Sequence, residues 1–116
     1  MTEEMSLDEV HIDELLCKTA QVGFGVSTLH LFVGRTPYVS LMGGRSLVEL
    51  SDYEVVSPVH VQRLVYDILS KEQIAAFESN GQLEFDYLAQ YISWFHVQLL
   101  SKKGDIVANF RMTSSK

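Results

Sequence analysis

Few side chains in this sequence stand at spacings that could do chemistry. Glu84 and Asp86 are two apart, so on a strand both carboxylates would project from one face, where acid–base chemistry could use them. Nothing around them suggests a pocket, and a solvated strand face, or an ion pair with a neighbouring strand, accounts for them better. His11, His30, His60 and His96 are scattered, with no HExxH or comparable ligand spacing. Cys17 has no cysteine partner and is expected as a small buried residue on the first helix. Gly43-Gly44-Arg45-Ser46 has the glycines of a phosphate loop but neither the lysine nor the following helix, so a two-glycine hairpin is the better reading. These patterns predict no catalytic residue, no cofactor site and no metal site.

The elements that would carry these residues are organised around Ser57 to Tyr87. Ser57 is a good N-cap, and Pro58 at the first helical position gives up a donor that would be orphaned anyway. Val61, Leu64, Val65, Ile68 and Leu69 then make one apolar stripe, with Gln62, Arg63 and Asp67 turned away. Ser70 with Gln73 reads as a capping box opening a second helix, with Ile74 and Phe77 inward and Asn80-Gly81 as its stop. Leu83, Phe85 and Tyr87 alternate with Glu84 and Asp86, so the period switches from helix to strand.

Before this stretch, Ser6-Leu7-Asp8-Glu9 resembles another capping box, with Ile12, Leu15, Leu16, Thr19 and Ala20 as a buried helix face ending at Gly23 and Gly25. Strands are predicted over 28–33, 38–42 and 46–50, with Gly34-Arg35-Thr36-Pro37 and Gly43-Gly44 as turns. After it come strands over 83–88, 91–100 and 106–112, with Lys102-Lys103-Gly104-Asp105 as a hairpin. Short turns between consecutive strands imply antiparallel pairing. The expectation is an α+β fold in the order α-βββ-αα-βββ, with helices packed on an antiparallel sheet of about six strands.

The 116 residues suit one domain over 1–116, and an apolar fraction of 47% excludes a disordered chain. The formal charge of −6 is concentrated at the start: residues 1–14 hold six acids and no Lys or Arg, and the remaining nine acids and nine bases cancel. Residues 1–9 are expected to be an acidic, disordered leader. A neutral body argues against a nucleic-acid binder. The single cysteine and the lack of a signal peptide or long apolar run point to a cytoplasmic protein that does not insert into a membrane.

Taken in order, several segments resemble the N-terminal domain of the type IV pilus retraction and secretion motor ATPases, the PilT-like family. That family carries a Ser-Asp-Leu-His-Leu motif, a Gly-x-Pro-Pro turn and a strand ending at glycine. Here they correspond to Ser27-Thr28-Leu29-His30-Leu31, Gly34-Arg35-Thr36-Pro37, and Gly43 or Gly44. Leu64 to Leu69, then Lys71, Gln73, Phe77 and Glu78, then Leu83 to Tyr87, fit its central region. Its last hairpin, Arg-Phe-Arg-Val-Asn then Phe-Arg, is similar to Trp94-Phe95-His96-Val97-Gln98 and Phe110-Arg111. The resemblance implies a PAS-like fold.

The departures are specific. Thr28 stands where the motif has Asp, Trp94 and His96 where the hairpin has arginines, and Ser40 where a strand arginine follows Pro37. Such arginines can reach nucleotide phosphates held by the ATPase domain; Arg111 alone among the matched positions is retained. No Gly-x-x-x-x-Gly-Lys-Ser/Thr loop is present, so this chain alone is expected to carry no ATP hydrolysis. The chain stops where the family's linker and ATPase domain would begin. The expectation is an excised domain or a stand-alone homologue, with the lost arginines favouring the second.

Three functions follow. The first is a non-catalytic interaction module that assembles with a hexameric pilus or secretion ATPase, or with itself, through Trp94, His96, Gln98 and Arg111. The second is a piece of a working ATPase, with Arg111 contacting nucleotide phosphate held elsewhere. The third is a PAS-like sensor, which calls for a cavity of roughly 300 Å3 between helix and sheet. Trp94, in place of an arginine, is expected either exposed as an interface anchor or buried in a second layer.

Overall fold

The computed structural model describes residues 5–22, 27–41 and 44–113. Its elements follow as α1 (Ile12–Val22), β1 (Ser27–Leu31), β2 (Tyr38–Leu41), β3 (Ser46–Glu49), α2 (Pro58–Tyr66), α3 (Lys71–Asn80), β4 (Gln82–Ala89), β5 (Ser93–Lys102) and β6 (Asp105–Thr113). This is the α-βββ-αα-βββ order that the sequence implies. The six strands form one antiparallel sheet in the order β3-β2-β1-β6-β5-β4. Each half is a meander, and the halves join where β1 pairs with β6, setting Leu29 against Phe110 and Thr28 against Arg111.

One face of the sheet is apolar and meets the helices. Leu29, Leu31, Val39, Phe95, Val97 and Phe110 are fully buried, in one cluster with Leu15, Leu16, Val61, Leu64, Val65 and Phe77 of the three helices. Burying a side chain of this size stabilises the fold by about 2 kcal/mol, so this layer is the main favourable term. The strand period of two sends the intervening residues to the other face, where β4 and β5 alternate exposed and covered positions.

Two helix starts follow the local chemistry of the sequence. The Ser57 side chain accepts from the His60 N–H, with Pro58 as the first helical residue, and the Ser70 side chain accepts from the Gln73 N–H. Both are reciprocal boxes, closed by the His60 and Gln73 side chains accepting from the cap N–H groups. Gly81 closes α3 at φ +76, a left-handed conformation that glycine adopts without a Cβ penalty. Gly23, Gly25, Met42 and Gly43, expected at the end of α1 and in the first hairpin, lie outside the described residues.

Elsewhere the structure corrects the expected boundaries. Ser6 caps no helix: its hydroxyl accepts from the Asp8 N–H two residues on, and α1 begins only at Ile12. His11 opens it instead, with Nδ1 accepting from the Asp13 N–H. Helix α2 ends at Tyr66 rather than Leu69, because the extended cap at Ser70 must follow within a few residues; Ile68 and Leu69 bond three residues back and still touch the core. Strand β1 stops at Leu31, so Val33 lies in the turn that precedes Pro37. The β4–β5 turn is centred on Tyr91, at φ +65, so β5 begins at Ser93 rather than at the expected Tyr91.

The acidic leader is also divided. Residues 1–4 lie outside the described residues, but Leu7 is 0% exposed and Met5 bridges in parallel to Tyr53. Arg63, expected to turn outward, donates to the carbonyls of Leu7 and Val10, and Glu54 accepts from the Leu7 N–H. An apolar plug and a buried-side arginine thus tie this segment down despite its charge.

Candidate interaction face

The helices leave the second face of the sheet open, and the expected site residues all stand on it. Trp94, His96 and Gln98 alternate along β5 with the buried Phe95, Val97 and Leu99, so they share the open side. The pairing registers run one row straight across five strands: Asp86, His96, Arg111, Thr28 and Ser40. The next row holds Glu84, Gln98, Asn109, His30 and Tyr38. Trp94 is 38% exposed, which places it on the surface rather than in a second buried layer.

His96 is held at both ring nitrogens. Its Nδ1 lies 3.0 Å from Asp86 Oδ1 and its Nε2 lies 3.0 Å from Glu84 Oε1. Two carboxylates can both be satisfied only if both ring nitrogens carry protons, so the geometry calls for an imidazolium. The Asp86 hydrogen bond, reinforced by that of Glu84, accordingly raises the His96 pKa above the ordinary histidine value. Glu84 and Asp86 therefore form an ion-pair clamp with His96 across neighbouring strands.

His30 sits one row on, at the seam between the sheet halves. Its Nδ1 is 2.6 Å from Asn109 Oδ1 and its Nε2 is 2.8 Å from Ser40 Oγ. Burial lowers its pKa, so the ring is neutral, with Nδ1–H donating to Asn109 and Nε2 accepting from Ser40. Tyr38 stacks on the ring at 4.8 Å, and the Arg35 guanidinium lies 4.2 Å over Tyr38. This is a structural network, with every polar atom of the ring used.

A cluster that sequence spacing hides lies on the opposite side of the molecule. Asp8 Oδ1 is 2.7 Å and Glu54 Oε2 3.5 Å from His60 Nε2. Such a trio could suit a divalent cation. Protons explain it better: His60 Nδ1 accepts from the Ser57 cap, so Nε2 carries the hydrogen that the carboxylates receive and offers no lone pair. The three residues come from segments about fifty positions apart, and only folding brings them together. Grooves of about 300 and 350 Å3 open on the surface, the first beside Phe32 and Lys103 and the second beside Asp8 and Glu14. Neither is enclosed between helix and sheet as the sensor expectation required.

No family model matches the sequence, and no curated protein matches it significantly. Solved structures do. The pilus retraction motor PilT, crystallised with ADP, superposes with a TM-score of 0.80 at 25% identity, over 93% of this chain and 30% of that one. The ATPase DotB of Legionella pneumophila superposes with a TM-score of 0.59 at 10% identity, over 94% of this chain and 32% of that one. The fold is that of the N-terminal domain of a pilus retraction motor. The chain spans about 30% of the length of the motors it matches.

On this PilT-like frame the sequence departures acquire a place. Thr28, Ser40 and His96, all of which replace charged residues of the family pattern, lie in the one row that also contains Arg111. Trp94 stands two residues from His96 on the same side. Scattered over 69 positions of sequence, from Thr28 to His96, the substitutions share one face of the sheet. Sequence reasoning did not single out Leu88, which pairs with Trp94 across the ladder and is 44% exposed. Its outward position follows from the alternation through Glu84 and Asp86, which could have marked it. No helix among the described residues is long and apolar enough to cross a membrane.

Proposed function

We propose that this chain is a non-catalytic interaction module of the PilT-like N-terminal type, one unit over residues 1–116, working in the cytoplasm with a pilus or secretion motor ATPase. The carrying observation is the common row of Thr28, Ser40, His96 and Arg111 on an open sheet face, with Trp94 beside it. A row that the family pattern fills with charge here holds Thr28 and Ser40, with His96 paired to Asp86 and Trp94 alongside, which suits protein contact better than contact with phosphate. Trp94, His96, Gln98 and Arg111 are the contact residues of this reading. In the resembling family the domain packs against the ATPase domain of a neighbouring subunit in a hexameric ring, and a separate copy would engage the same kind of surface. These 116 residues contain no Gly-x-x-x-x-Gly-Lys-Ser/Thr loop, and the proposed role asks for none of them to hold a phosphate.

Light scattering on a sizing column, with the chain alone and mixed with the host's PilT-type ATPase, tests this. Co-elution that Trp94→Ala weakens supports the module. A chain that leaves both the elution and the ATP turnover of the motor unchanged sinks it.

A further inference from the structure

We propose that the open face pairs with a second copy of this chain through β5, about a two-fold axis parallel to that strand. The proposal rests on reading this face as a contact surface, and names an occupant for it.

One end of the β4–β5 ladder gathers exposed apolar side chains. Leu88 and Trp94 face each other on β4 and β5, and Tyr91 is fully exposed in the turn that joins the two strands there. Single exposed apolar residues are ordinary, whereas a contiguous group marks a contact.

The charges are arranged so that the face complements itself. On one flank of β5 stand Glu84 and Asp86; on the other stands Arg111, with no carboxylate within 4.0 Å among the described residues. Neighbouring strands lie about 4.8 Å to either side of β5. A two-fold axis above and parallel to β5 exchanges the flanks, so Asp86 of each copy meets Arg111 of the other. The sheets then pack aligned, about 10 Å apart, with Trp94 against Trp94. An axis across the strands would instead set the carboxylates of β4 against one another, so charge selects the first arrangement.

His96 lies on the chosen axis and faces its counterpart. Around it stand Asp86 and Glu84 of its own chain and Arg111 of both copies, with Trp94 and Gln98 beside it on β5. Two imidazolium rings at the axis oppose pairing, and a deprotonated His96 also frees Asp86 for Arg111 of the second copy. Pairing therefore tightens as pH rises.

Sedimentation velocity on the full chain tests this at low salt over a range of concentrations. The chain is expected to dimerise, and Asp86→Arg or Arg111→Asp to weaken the dimer at least about tenfold each, since each reverses both symmetric contacts. An equimolar mixture of the two variants restores association, because a heterodimer regains both pairs, one in the parent's sense and one reversed. Trp94→Ser, which alters no charge, weakens the dimer and leaves the melting temperature unchanged at dilutions where the parent is monomeric. A monomer at every concentration, variants that dimerise like the parent, or a mixture that stays monomeric overturns the pairing. Docking on a motor is read separately by co-elution, so the failure of either proposal is visible on its own.

Discussion

His30 of β1 and Asn109 of β6 meet across the seam that joins the two halves of the sheet, with Nδ1 and Oδ1 2.6 Å apart. Among the described residues the two meanders join within the sheet through β1 and β6 alone, so this contact fastens the joint from the open side. Asn109→Ala leaves the His30 N–H without its acceptor and is expected to cost about 1–3 kcal/mol. His30 is held neutral by burial, so its folded pKa lies below its unfolded one. Its contribution is present above the unfolded pKa, near 6.5, and is lost as pH falls below it. Urea titrations at pH 7.5 and pH 5.5 check both statements; equal stability of parent and variant contradicts the role.

His96 has the opposite sign. Its folded pKa is raised by Asp86 and Glu84, so the stability it adds is full below the unfolded pKa and fades as pH rises through the folded one. Following the ring protons of His96 by NMR is expected to give a midpoint above that of an ordinary histidine. Asp86→Asn and Glu84→Gln each lower that midpoint. A His96 that titrates at or below the ordinary value in the parent refutes the clamp.

The start of the described chain should behave as core. Leu7→Ala removes a fully buried side chain and is expected to cost about 2–5 kcal/mol, as large as a substitution in any helix interior. Arg63→Ala frees the carbonyls of Leu7 and Val10, and should speed amide exchange in residues 5–10 before the rest of the fold is affected. Thermal melts together with hydrogen exchange separate the two effects. A Leu7→Ala protein with unchanged melting would show that the segment is merely resting on the surface.

Acid should loosen that same segment. The His60 hydrogen bond, helped by Ser6, holds the Asp8 pKa below its ordinary value. The resulting stabilisation is present above the unfolded pKa of Asp8 and is lost as pH falls through the folded one. Asp8→Asn is therefore expected to abolish part of the acid sensitivity of amide protection at Leu7 below pH 4. Identical acid profiles for parent and variant would contradict this.

Trp94 is the only tryptophan, so its fluorescence reports on the open face alone. At 38% exposure it should emit at an intermediate wavelength and be partly quenched by iodide in dilute solution. Raising the concentration, or adding a motor partner, is expected to shift the emission to shorter wavelength and reduce the quenching. Emission that stays constant while a complex forms would place the contact elsewhere.

The sequence by itself determined the element order and the strong local starts and stops. Ser57-Pro58, Ser70 with Gln73, and Asn80-Gly81 act within a turn or two of chain, so their chemistry is legible without the rest of the fold. Alternation within the expected strands 83–88 and 91–100 likewise sorted inward from outward residues over 83–88 and 94–99, because a strand's period of two is local geometry. Where local signals competed, tertiary contacts decided. Ser6 has the spacing of a cap, yet burying Leu7 and serving Arg63 kept its segment out of the helix. Whether Trp94 is exposed depended on the helices covering only one face of the sheet. The alignment of Asp86, His96, Arg111, Thr28 and Ser40 depended on strand register and on the closure of β1 against β6. Those are relations between segments up to 83 positions apart, and no local pattern encodes them. The candidate face was present in the sequence as residues; only the sheet made it a surface.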